Sequence, residues 1–84
     1  MKHQDPTTPF GVLLQDWMRR NGCDHSRAAV RLGVHRATIY QWLRGGSAPP
    51  AGRLYHIARV MGEPIERMAR ITGRAIPKES KNND

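Results

Sequence analysis

The chain has 84 residues, a formal net charge of +7 and a sequence pI of about 10.8, with arginine supplying most of the positive charge. That length fits one small domain with a thin core, and a basic balance at that size points to a polyanionic partner, most often nucleic acid. The sequence argues against other classes: no apolar run approaches the roughly 18 residues that span a bilayer, MKHQDPTTP lacks the apolar stretch of a signal peptide, and the lone Cys23 can form no intramolecular disulfide, which fits a reducing cytoplasm.

Taken in order, residues 1–7 are polar and interrupted by proline, and a flexible arm is expected there. Thr8-Pro9 reads as an N-cap followed by proline at the first helical position, where the missing N–H is harmless. Phe10, Leu13, Leu14, Trp17 and Met18 then recur at the spacing of an amphipathic helix, which Asn21-Gly22 ends. Asp24 is a good N-cap for a second helix, with Ala28, Ala29 and Leu32 turned inward and Gly33 closing it. Val34 is expected to plug the turn that follows.

The stretch from Gly33 to Gly45, GVHRATIYQWLRG, organises the rest. Ile39, Trp42 and Leu43 fall on one side of a third helix, leaving Arg36, Ala37, Tyr40, Gln41 and Arg44 on the other. Arg and Gln can each make two hydrogen bonds to the edge of one base. His35 occupies the N-cap slot, where Ser or Thr is usual. Two short helices joined by a glycine turn, the second with an open polar face, form a helix-turn-helix. That is the pattern of a small DNA-binding domain.

After Arg44, GGSAPPAG is a loop by composition. A fourth helix is expected from about Ala51 to Met61, with Leu54, Ile57, Ala58 and Met61 as its apolar stripe. Gly62 ends it, and Pro64 opens a shorter fifth helix in which Ile65, Met68, Ala69 and Thr72 share a face. Gly73 closes the expected domain at residues 8–73, and residues 74–84 lack periodicity and read as a flexible tail. No stretch reads as a strand.

The order of these features resembles the Cro/C1-type helix-turn-helix family of phage repressors and related bacterial regulators. The residues that carry the likeness are Ala29, Leu32-Gly33-Val34, Arg36-Ala37-Thr38-Ile39, Trp42 and Gly45, with Pro49, Leu54, Ile57-Ala58 and Met61-Gly62 behind them. The resemblance spans roughly Thr8 to Gly73 and implies an all-α, five-helix, lambda-repressor-like domain with the helix-turn-helix in helices two and three. It implies that Arg36, Ala37 and Gln41 face base edges in the major groove of double-stranded DNA. It also implies that Thr38 reaches a phosphate or a thymine methyl, that the N-terminus of helix two with His25 meets a phosphate, and that Arg44 and Ser47 lie against the same backbone. His35, at the start of helix three, and Arg53, beyond the following loop, join the backbone-contacting set. Tyr40 is placed with the base-contacting residues, with a covering role at the rim of the core as its other reading.

Two positions depart from the family's pattern. Leu43 stands where Glu is frequent, paired there with an arginine of helix one, and the facing residue here is Met18. Replacing a buried ion pair by apolar side chains is often neutral or stabilising. Ala28 stands where a bulkier residue is common, leaving room for Trp17 or Trp42. Neither departure touches the expected reading face.

Trp17 and Trp42 could serve as stacking platforms for single strands, but their place on apolar stripes assigns them to the core. Most of the remaining arginines make a solvated basic surface that strengthens salt-dependent binding. The four histidines, His3, His25, His35 and His56, show no metal-ligand spacing with Cys23. No catalytic constellation is present, so neither an enzyme nor a cofactor is expected. Ile65, Met68, Ile71 and Ile76 offer more apolar surface than a monomer needs, and a homodimer through this region is expected, since such proteins commonly pair on two-fold sites. The resulting reading is a cytoplasmic, nucleoid-associated repressor of prokaryotic or phage origin, binding an inverted repeat, with no membrane contact. Its rivals are an antitoxin-like module whose main partner is a protein, and a DNA-architectural or recombination accessory protein.

Overall fold

The computed structural model describes residues 8–76. The expected arm at 1–7 and all but the first residues of the expected tail lie outside that range. Five α-helices and no strand occur among the described residues, as the sequence led us to expect. Internal contacts group the chain into two compact units, Met1–Ala48 and Pro49–Asp84.

The first unit holds α1 (Pro9–Arg20), α2 (His25–Leu32) and α3 (Arg36–Arg44). Thr8 caps α1 as expected, its hydroxyl oxygen accepting from the Gly11 N–H at 3.0 Å. The Asp24 carboxylate does the same for α2, accepting from the Arg27 N–H at 2.8 Å. Each bond satisfies a helix-end donor that would otherwise lack a partner. Gly33 ends α2 with φ 72°, a left-handed conformation that glycine adopts without a Cβ clash. The chain thereby reverses into α3, and the Val34 N–H returns to the Ala29 carbonyl at 3.0 Å.

Packing in this unit follows the apolar spacing. Phe10, Leu14, Trp17, Ala28, Leu32, Ile39 and Trp42 are all buried. The rings of Phe10 and Trp42 meet edge to face, with centroids 5.5 Å apart and planes at 82°, an arrangement favoured by the ring quadrupoles. The Arg31 guanidinium lies 5.0 Å above the Trp17 ring, covering its outer side. Gly11 sits where α1 faces the end of α3. A Cβ built there would lie 3.1 Å from the carbonyl oxygens of Trp42 and Leu43 and 3.1 Å from the Thr8 hydroxyl oxygen.

The second unit holds α4 (Leu54–Met61) and α5 (Ile65–Thr72). The helix expected to begin at Ala51 begins at Leu54 instead, because Ala51–Arg53 form a 3-10 turn in which the Arg53 N–H bonds to the Pro50 carbonyl at 2.9 Å. Proline ahead of the turn and Gly52 within it both weaken α-helical propensity, and the tighter turn takes over. Leu54, Ile57, Ala58 and Met61 are buried as their spacing predicts. Beyond α5, Arg74 donates from Nε to the carbonyl of the buried Pro49 at 3.0 Å, tying the end of this unit to its beginning. No helix among the described residues is long and apolar enough to cross a membrane.

Candidate nucleic-acid interface

The two sides of α3 differ as the sequence suggests. Ile39 and Trp42 are 0% and 2% exposed and anchor the helix from below. Arg36, Ala37, Tyr40, Gln41 and Arg44 are exposed above. Thr38 is half-buried, and so is Leu43, which the spacing put on the apolar side: it flanks the buried stripe rather than lying in it. The exposed side carries Arg36 and Arg44 with no acidic residue anywhere on the helix, a local field suited to an anionic partner.

Several expected site residues meet one another across the turn. His25, the first residue of α2, stacks on Tyr40 with ring centroids 4.2 Å apart and planes 12° from parallel. Beside it, Arg36 donates from Nη1 to the Ser26 hydroxyl oxygen at 3.4 Å, a long bond. At the other end of α3 the Ser47 hydroxyl donates to Gln41 Oε1 at 3.5 Å, a long and weak bond. His35 stands at the N-cap with no side-chain hydrogen bond to the helix, so the slot that looked unusual is indeed uncapped. Ser26 escaped the sequence reading. The signal that could have found it is topological: a glycine-turned helix pair brings the first turn of one helix beside the first turn of the next.

The remaining expected residues lie in the second unit. Arg53 is exposed in the 3-10 turn. Of the four residues expected to form a dimer face, Met68 is 0% exposed and therefore belongs to the core, not to a docking surface. The helical spacing that put it beside Ile65 could not tell depth from direction. Ile65 and Ile71 are half-buried, and Ile76 is 45% exposed. Among the described residues no group of three or more His, Cys, Asp or Glu is gathered to hold a metal ion.

The model of the helix-turn-helix family HTH_3 matches residues 14–68, well over half of the chain. The chain belongs to that family. No curated protein sequence matches this HTH_3 chain. Among solved structures it is similar to an HTH_3 family transcriptional regulator from Vibrio cholerae, at 22% identity and a TM-score of 0.61, over 75% of this chain and 35% of that one. It is also similar to hydroxypropylphosphonic acid epoxidase from S. wedmorenis, at 29% identity and a TM-score of 0.57, over 79% of this chain and 35% of the enzyme. Ferrous HppE in complex with substrate gives 32% identity and a TM-score of 0.57, over 73% of this chain and 36% of that one. The HTH_3 chain thus spans about a third of the length of the structures it matches.

Proposed function

We propose that the chain is a sequence-specific, double-stranded DNA-binding transcription regulator that lays the exposed side of α3 in the major groove. The observation that carries this is the two-sidedness of α3: Ile39 and Trp42 are buried while Arg36, Ala37, Gln41 and Arg44 are exposed on a helix without acidic residues. Membership in the helix-turn-helix family supports the same reading. Arg36 and Gln41 read base edges, Ala37 offers a methyl contact to thymine, and His25, His35, Thr38, Arg44, Ser47 and Arg53 serve the phosphate backbone.

The regulator acts as a homodimer on an inverted repeat, with half-sites about one helical turn, ~34 Å, apart. The exposed Ile76, together with the half-buried Ile65 and Ile71, supplies the apolar contact between copies. Occupying a promoter in this way represses it. Selection of binding sites from random duplex DNA tests the proposal. A recovered inverted repeat supports a dimeric sequence reader, and its spacing fixes the dimer geometry. Recovery of no motif, with binding that depends only on salt, overturns it.

A further inference from the structure

Helix α3 is fastened unequally at its two ends. Its C-terminal half is anchored by the buried Trp42 against Phe10 and closed by Gly45 in a left-handed conformation. Its N-terminal end has no side-chain cap, because His35 makes no hydrogen bond to the first turn. The first turn of α2 reaches α3 at two places: at its first residue, where the Ser26 hydroxyl takes a hydrogen bond from Arg36 at 3.4 Å, and at mid-helix, where the His25 ring lies flat on Tyr40 at 4.2 Å.

We infer that His25 and Ser26 are positioning residues that set the pose of α3, and that Tyr40 is thereby withdrawn from base reading, leaving discrimination to Arg36, Ala37 and Gln41. The inference rests on the DNA-reading role proposed above for α3. A ring stacked within 12° of parallel on a neighbour has one face committed to that neighbour. A Tyr40 ring that turned off His25 to follow a base would give up the contact that joins the first turn of α2 to the middle of α3. Arg36 is steered and not consumed, since one bond to Ser26 leaves the rest of its donor fork free. Groups held within a small tolerance by neighbouring side chains are the ones that read a partner with discrimination.

The test compares the full chain with His25→Ala, Tyr40→Ala, the double variant, Tyr40→Phe and Ser26→Ala. The readouts are base preference over a randomised duplex, affinity for the selected duplex, and thermal unfolding. His25→Ala and Tyr40→Ala should each weaken binding by roughly two- to tenfold, the range of one aromatic pair. That loss should come with no change of preferred base at any position. The double variant should be no weaker than the weaker single one, since both remove the same contact. Tyr40→Phe keeps the ring and should stay within about twofold of the parent. Ser26→Ala should blunt preference only at the base pair that Arg36→Ala erases. The inference is overturned if either Tyr40 variant changes the preferred base at a position, or if the His25 and Tyr40 losses multiply. Thermal unfolding reads the stack without DNA. Coupling of His25 and Tyr40 in Tm alongside a parent that prefers no duplex would fault the DNA-reading function, whereas absence of that coupling faults the stack itself.

Discussion

Helix α3 is gripped from two sides by different chemistry. Against α1 the contact is buried and apolar, with the Phe10 and Trp42 rings edge to face and Gly11 admitting the carbonyls at the end of α3. Against the first turn of α2 it is polar and open to water, with His25 on Tyr40 and Ser26 on Arg36. Burial of large apolar surface is where most folding free energy resides, whereas exposed stacks and hydrogen bonds contribute little to it. The first grip therefore decides whether α3 is in place. The second decides how its outer side is presented.

If that division holds, substitutions should separate cleanly into those that move stability and those that move recognition. The largest effect belongs to Trp42→Ala, which should cost about 3–5 kcal/mol in denaturant unfolding. A domain of this size has little more than that to lose, so a loss below about 1 kcal/mol would break the comparison at its firmer end. Gln41→Ala is the counterpart on the outer side. It should cost roughly 1–3 kcal/mol on the preferred duplex while leaving Tm unchanged, and an equal loss on scrambled duplex would remove Gln41 from the base-reading set.

Gly11→Ala sharpens the inner grip. Alanine gains about 1 kcal/mol of helix propensity over glycine, but the added methyl meets two carbonyl oxygens at 3.1 Å, and backbone cannot swing away as a side chain can. Overpacking of this kind costs about 1–3 kcal/mol. The net expectation is a destabilisation of about 1 kcal/mol, read from the denaturant midpoint; a stabilised variant would mean that α1 and α3 approach less tightly. The smallest effect is a gain. His35→Ser supplies the missing side-chain acceptor at the start of α3 and should stabilise by roughly 0.5 kcal/mol in thermal unfolding. An unchanged Tm would show that the α2 contacts already hold that end.

The inner grip was largely legible in the sequence. Apolar residues at helical spacing from Phe10 to Met18 and at Ile39 and Trp42 give the buried sides of α1 and α3, and Thr8, Asp24 and Gly33 mark helix ends through local hydrogen bonding and backbone conformation. These are signals carried within a few residues. Depth was less legible: periodicity pointed Leu43 and Met68 in the right general direction, yet one flanks the core and the other is sealed inside it. The start of α4 was misjudged because apolar spacing does not distinguish an α-helical turn from a 3-10 turn. The outer grip was hidden altogether. His25 and Tyr40, and Ser26 and Arg36, are joined only once Gly33 has reversed the chain, and polar pairs distant in sequence leave no periodic trace.

The most direct test of the account is the affinity of the full chain for its selected duplex against a scrambled duplex of equal length, measured at two salt concentrations. The account predicts a preference of at least ~10³ for the selected duplex at both salts, because base contacts discriminate where phosphate contacts do not. Equal affinities that fall together as salt rises would contradict it, leaving a basic helical domain that holds DNA without reading it.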